Sequence, residues 1–465
     1  MAMNVLLTLS SIIFPLITLP YVTRVLGPEG VGKVYFASSV IAFFSMFAEL
    51  GIPVYGIRAC ARVRDDKIAL TRTVHEIMTI NLAACIIVYA VFAVSLICVP
   101  AFKADRNMFI IMSSLIVLNA IGAEWLYKAL EKYTYITVRS VIFKFIALIA
   151  MLLMIKDRSD YAVYGALTIF AASASNILNF INLRKYISIR PVGEYNYRRH
   201  IPAMMILFMM TVATTIYTNL DTSMLGFMKG DAEAGLYGVS VRIKLVLVNL
   251  ITSVSAVLMP RTSYYFERGM HRDANKLIIN TLVAVCTVSL PTICFFVLFS
   301  PECIRLLAGD AFTGAILPMR IIVPAVLFIG ISNIAGMQLL IPMGHEDKVT
   351  RAAWTGAVMD VALNIILIPR FASAGAAFAT LAAEAAVTLY LLHWVRITTG
   401  DNIIKDIPLV SIVVASAAAI PACLWVRKLP IVLLVKLALS AFCFFAAYTI
   451  VLFIIWRKNG ILRRD

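Results

Sequence analysis

Fourteen apolar stretches of about twenty residues, separated by short polar loops, take up nearly all of this 465-residue chain. The hydrocarbon core of a bilayer is about 30 Å thick and an α-helix rises about 1.5 Å per residue, so each stretch is long enough to cross it. The sequence therefore predicts an all-α polytopic membrane protein. Its spans fall near 4–25, 34–57, 74–100, 108–130, 136–155, 161–182, 202–225, 236–259, 277–300, 318–342, 352–370, 374–396, 409–426 and 431–456. Too little chain remains for a water-soluble domain, and the loops are too short for a catalytic ectodomain, so no enzymatic activity is expected. The first stretch has no basic leader and no small-x-small site after it, which marks a span rather than a cleavable signal peptide.

A net charge of +16 would point to nucleic acid in a soluble protein, but its distribution here says otherwise. Counting helix-end residues with the adjoining loop, alternate loops starting at 58–73 hold 24 Lys/Arg and the opposite set 11. The positive-inside rule then puts Arg58–Thr73, Leu183–His200 and Arg457–Asp465 in the cytoplasm, with both termini inside. Trp354, Trp394, Trp425 and Trp456 stand at predicted helix ends, as an aromatic belt would have them. The basic loops read as a topology signal and an anionic-lipid contact, not a nucleic-acid footprint.

The eight cysteines form no C-x-x-C pair and read as small apolar packing residues. None of the five histidines has ligand spacing, so no metal and no cofactor is expected. Gly27–Lys33 fits G-x-x-x-x-G-K, yet Val34 replaces the Ser or Thr that magnesium needs, and a membrane helix rather than a strand precedes it. Nucleotide binding there is rejected.

The chain repeats itself. Arg24-Val-Leu-Gly27 and Gly30-Val-Gly-Lys-Val-Tyr35 follow the first span, while Ser223-Met-Leu-Gly226 and Ala234-Gly-Leu-Tyr237 follow the seventh. Each half holds six spans, an even number, so the two repeats run parallel with a cavity expected between them. The expected organisation is an N-terminal six-helix bundle over 1–200, a second over 201–400, and two extra helices with a basic cytoplasmic tail over 401–465.

Polar residues within the spans carry the remaining signal. At about 100° per residue, Thr211, Thr214, Thr215, Thr218, Asp221 and Thr222 share an arc of about 120° on span seven. Asn4, Thr8, Ser11, Pro15 and Thr18 make a matching stripe on span one. Arg242, Asn249, Thr252 and Ser253 share a face of span eight, with Lys244 pointing away, and Ser38, Ala42, Ser45 and Glu49 align on span two. Span six carries Ser175, Asn176, Asn179 and Asn182; span eleven Gly356, Asp360 and Asn364; span twelve Thr380, Glu384 and Thr388. Such stripes mark either helix-packing seams or a polar cavity. Charges are more telling, because one at mid-bilayer costs about 2.5–3.5 kcal/mol on insertion scales. Asp360 and Glu384 lie near mid-span; Arg24, Asp221, Arg242 and Lys244 lie within two turns of the outer end, where snorkelling is the rival reading. Glu124 and Lys128, four residues apart with Glu first, read as a structural ion pair.

The segment Pro15-Leu-Ile-Thr-Leu-Pro-Tyr-Val-Thr-Arg-Val-Leu-Gly-Pro-Glu-Gly-Val-Gly-Lys-Val-Tyr35, with Glu49-Leu-Gly-Ile52 and Ile57-Arg58, resembles the opening of the bacterial polysaccharide-biosynthesis flippases. These are the Wzx-type carriers of the multidrug/oligosaccharidyl-lipid/polysaccharide exporter superfamily. The resemblance implies translocation of undecaprenyl-pyrophosphate-linked oligosaccharide across the bacterial cytoplasmic membrane for O-antigen, capsule or exopolysaccharide, by two six-helix bundles rocking about a cavity. It further implies cooperation with a polysaccharide polymerase and a chain-length regulator. Family members commonly have twelve spans; two more are similar to the fourteen-helix carriers of cell-wall precursors, and an ion-coupled drug/cation antiporter of the same superfamily is the alternative. On this resemblance Arg24 and Arg242, aided by Lys244, would bind the pyrophosphate. Thr215, Thr218 and Asn249 would meet sugar hydroxyls, while Asp221, Asp360, Glu384 and Glu49 are the candidates for carrying a coupling proton or sodium ion.

Overall fold

A computed structural model describes residues 2–400, 405 and 407–459; the expected tail residues 460–465 lie outside the described residues. The chain divides into two compact units, Met1–Gly235 and Leu236–Asp465. The described residues are helical and contain no strand.

In the first unit the helices are α1 (Ala2–Glu49), α2 (Ile52–Ala61), α3 (Lys67–Cys98), α4 (Pro100–Ala104), α5 (Arg106–Gly122), α6 (Glu124–Ala129), α7 (Tyr133–Met154), α8 (Tyr161–Ile169), α9 (Asn176–Asn182) and α10 (Ile201–Lys229). Then come α11 (Asp231–Glu267), which leads into the second unit, α12 (His271–Leu298), α13 (Ser300–Ala308), α14 (Ile316–Ile322), α15 (Ala325–Asn333), α16 (Glu346–Thr399), α17 (Leu409–Leu424) and α18 (Leu433–Lys458).

Ten helical segments among the described residues are long and apolar enough to cross a membrane, eleven if the bent pair Asp310–Ile322 and Ala325–Leu340 is one span. Two helices are too long for one crossing: 48 and 54 residues make about 72 and 81 Å. Each is broken at one left-handed residue, Gly27 in α1 (φ 69°, ψ −179°) and Ala372 in α16 (φ 47°, ψ −129°). Pro28 then restarts the helix, its fixed φ suiting the first helical position. The outward faces are apolar: on α3, Ile86, Ile87, Val94 and Ile97 are all at least 60% exposed. That inverts the surface of a soluble protein and fits lipid as the solvent. The chain is a multi-pass membrane protein.

The turn at Gly27 inside α1 recurs in a form the sequence hides. Gly27, Gly230 and Gly309 each end a helix with φ of 69°, 89° and 85° and ψ near 180°. A second glycine follows each after five residues: Gly32, Gly235 and Gly314. The structural equivalent of Gly27 is thus Gly230, not Gly226, which the sequence comparison had aligned with it. Gly226 is inside α10, its Cα pressed against the Phe36 ring. The helix runs on to Lys229 because only Gly230 adopts the positive φ that stops it.

Candidate functional site

Charged side chains inside the first unit converge on α6, α7 and the N-terminal half of α1. The Glu124–Lys128 pair forms as its spacing predicted, at 2.9 Å. The Glu124 carboxylate also meets a second cation: Arg139 of α7 lies 3.6 Å from Oε2 and is itself buried. Arg139 Nη1 donates to the Ser175 carbonyl at 2.8 Å, its guanidinium lies against the Tyr135 ring, and its buried Nε has no hydrogen-bond partner. Further along α7, Lys144 donates to Ser10 of α1 at 3.0 Å. Three cations and one carboxylate thus lie along α6 and α7, leaving positive charge in excess of the one carboxylate.

Two grooves open on this cluster. One, of about 560 Å³, runs between α1 and α7, with Ile13, Phe14 and Ile17 facing Val141, Phe145 and Lys144. The other, of about 770 Å³, is bounded by Lys132, Tyr135, Arg139, Phe143 and Leu178. Val138 and Ile142 belong to both. The first groove is apolar with Lys144 at its edge, and the second carries Lys132, Arg139 and Glu131, so together they could take a ligand with a hydrocarbon chain and an anionic group.

A second polar assembly joins α1, α5 and α9. Ser45 and Asn119 donate to Glu49 Oε1 at 3.2 and 3.1 Å. Asn119 Oδ1 accepts from Ser173 at 2.9 Å and from Asn176 at 3.4 Å. The wider π-helical turn Phe170–Ala174 carries Ser173, and such bulges often mark functional positions. Glu49 thus shares a face with Ser45 as predicted, but its main partner, Asn119, was not foreseen. Replacing Asn119 by Ala removes a donor to a half-buried carboxylate and strands two more polar side chains. A loss of about 1–3 kcal/mol is expected in a thermal or denaturant unfolding assay, and a change within error would refute the network.

The other predicted residues are distributed as follows. Arg24 is exposed on α1 and donates to the Pro20 carbonyl at 2.6 Å. Asp221 is buried in α10. Thr215 is half-buried, and its carbonyl accepts from Asn219. Thr218 is exposed and donates to the Thr214 carbonyl at 2.8 Å; Thr211 and Thr214 bond back in the same way. These back-bonds occupy the hydroxyl protons, leaving lone pairs for a ligand. In the second unit Arg242 and Asn249 are exposed and Lys244 is half-buried on α11, while Asp360 and Glu384 are buried in α16. Thr380 pairs with the Tyr237 hydroxyl at 2.9 Å and Thr388 donates to the Phe328 carbonyl, so this part of the span-twelve stripe is a packing seam. The side chains of Asn4, Thr8 and Ser11 lie outside the described residues.

Sequence reasoning missed Arg139, which was counted with a basic loop, and Lys144 as a site residue. The signal available was an unneeded charge inside an otherwise apolar span.

The model of the family described as "Polysaccharide biosynthesis protein" matches residues 1–266, more than half of the chain. The chain belongs to the polysaccharide biosynthesis protein family. Among relatives of this family member, the protein named "Putative O-antigen transporter" in Escherichia coli (strain K12) is 23% identical over 402 residues, 83% of this chain and 94% of that one. The structure titled "Lipid II flippase MurJ, inward closed conformation" matches with a TM-score of 0.76 at 17% identity, covering 98% of this chain and 99% of that one. An inward-facing multidrug resistance MATE family transporter of the MOP superfamily matches with a TM-score of 0.66 at 14% identity, over 85% of this chain and 96% of that one. This polysaccharide biosynthesis protein therefore shares the fold of these two structures.

Proposed function

We propose that the chain is a flippase carrying undecaprenyl-pyrophosphate-linked oligosaccharide units across the bacterial cytoplasmic membrane by alternating access, with both termini cytoplasmic. The observation that carries this reading is the excess of cations around Glu124 beside two apolar-walled grooves, in a member of the polysaccharide biosynthesis family. A pyrophosphate would offset that charge at Lys128, Arg139 and Lys144, and Arg24 and Arg242 would bind it in other steps of the cycle. The isoprenyl tail would stay against apolar walls, and exposed hydroxyl and amide groups such as Thr218 and Asn249 would meet the sugar. Asp221, Asp360, Glu384 and Glu49 would be the candidates to carry a coupling proton or sodium ion. The product would pass to a polymerase and a chain-length regulator. No bond in the substrate is made or broken.

The test is transbilayer movement of a labelled undecaprenyl-pyrophosphate oligosaccharide in liposomes, with ethidium transport in parallel. Arg139→Gln and Lys144→Gln should each slow glycolipid movement about tenfold or more, since a charge-assisted bond is worth about 1.5–3 kcal/mol. Wild-type rates in both variants would remove these residues from the site. Ethidium transport without glycolipid movement would overturn the flippase reading.

A further inference from the structure

A third cavity, distant in sequence from the Glu124 cluster, lies where α3 and the end of α9 meet the segment 183–200. Its volume is about 550 Å³, and its apolar walls are Met78, Phe180, Ile181, Ile187 and Ile189. Arg184, His75, Tyr195 and Tyr197 supply its polar groups.

The cavity has a fixed frame. His75 bonds the Tyr195 hydroxyl at 3.0 Å through Nδ1 and the Ser188 carbonyl at 2.9 Å through Nε2. The Asn196 backbone donates to Glu76 at 2.6 Å, and Ser188 N donates to Thr71 at 3.3 Å. Leu183 and Ile187 are buried beneath, so segment 183–200 forms a shelf fastened to α3 rather than a loose loop. Beside that shelf Phe180 and Ile181 at the end of α9, and Ile189 on the shelf, are 49%, 61% and 63% exposed and line the cavity, an apolar surface that a hydrocarbon chain would cover. Arg184 lines the cavity beside them and is exposed, as are Lys185, Arg190 and Arg198 in the same segment.

An apolar cleft at the end of membrane helices, with cations and tyrosines at its edge, has the layout of an acyl chain beneath a phosphate. We infer that this cavity binds an anionic phospholipid of the inner leaflet, one acyl chain between Phe180, Ile181 and Ile189 and the headgroup phosphate at Arg184. Its assignment to the inner leaflet rests on the topology proposed above. Charge complementarity selects the occupant: a neutral lipid satisfies the apolar walls but leaves the basic edge unmatched, and a free phosphate leaves the walls uncovered.

Retention of phosphatidylglycerol against phosphatidylcholine by the purified full chain, read by native mass spectrometry, tests this without any transport step. Failure of flipping and failure of the lipid site are therefore separable. The wild type should prefer phosphatidylglycerol about fivefold or more. Arg184→Gln, at an exposed position, should abolish most of that preference, and Phe180→Ser should lower retention of both lipids. Equal retention of the two lipids by the wild type, or unchanged preference in Arg184→Gln, would overturn the inference. So would stoichiometric displacement of phosphatidylglycerol by undecaprenyl pyrophosphate, which would give the cavity to the substrate.

Discussion

Replacing Gly32 by Val will leave little folded protein, and Gly32→Ala will cost about 3 kcal/mol or more. A Cβ on Gly32 would run into the Asp231 carbonyl, and one on Gly235 into the Pro28 carbonyl. Each would also come within about 3 Å of the other glycine's nitrogen (3.0 and 3.1 Å), so the two turns meet backbone to backbone. A flexible side chain could swing away from such a clash, but a carbonyl in a helix start cannot. Overpacking commonly costs about 1–3 kcal/mol, and a rigid obstacle puts this case at the upper end or beyond. The first glycine of each turn makes the control. Gly27 and Gly230 have open space around the missing Cβ, and only their φ of 69° and 89° opposes a side chain. Gly27→Ala should therefore cost about 1–3 kcal/mol, the penalty of a backbone conformation essentially reserved for glycine, and less than Gly32→Ala. Gly32→Ala and Gly235→Ala together should cost less than their sum, because one displacement relieves both contacts. Thermal unfolding of Gly32→Val, Gly32→Ala, Gly27→Ala, Gly235→Ala and the Gly32→Ala/Gly235→Ala double, by size-exclusion detection, reads all of this. Equal losses for Gly27→Ala and Gly32→Ala would mean that backbone conformation, not close approach, governs these turns.

The membrane makes this fold legible in its sequence. Lipid cannot satisfy backbone polar groups, so every crossing must be a helix of about twenty apolar residues, and that length is visible without any alignment. The Glu124–Lys128 pair was legible for a similar reason: four residues bring side chains together on any helix. Arg139 was not, because its partner is 15 residues away on another element and its position near a helix start looked like loop charge. The same limit applies to Asn119, which reaches Glu49 across 70 residues. The turn motif was half legible. Gly27 and Gly32 stood out, but their true counterparts, Gly230 with Gly235 and Gly309 with Gly314, share only spacing and φ, and φ is not written in composition.

Glu76→Ala should lower stability by about 2–4 kcal/mol and open segment 183–200 to proteolysis. The carboxylate is fully buried and accepts from the Asn196 backbone on one oxygen, and from Arg199 and His200 on the other at 2.6 and 2.7 Å. The Tyr55 hydroxyl lies 2.7 Å from His200 Nδ1, an arrangement completed if His200 Nε2 donates to Glu76 and Nδ1 accepts from Tyr55. Removing Glu76 leaves a buried imidazole N–H and a backbone N–H without an acceptor, and breaking such a buried set costs about 3–5 kcal/mol in comparable cases. The figure is discounted because the Arg199 side chain is 46% exposed and water can take over its charge. For the same reason Arg199→Ala should cost no more than about 1 kcal/mol. Glu76→Gln keeps the shape yet turns one acceptor into a donor, so it should fall nearer to Ala than to wild type. Trypsin cleavage at Lys185 and Arg198, scored beside thermal unfolding, separates release of the segment from loss of the bundle. Unchanged cleavage with unchanged stability in Glu76→Ala would show that something other than this carboxylate holds the segment to α3. Faster cleavage at an unchanged melting temperature would show that Glu76 fastens the segment alone.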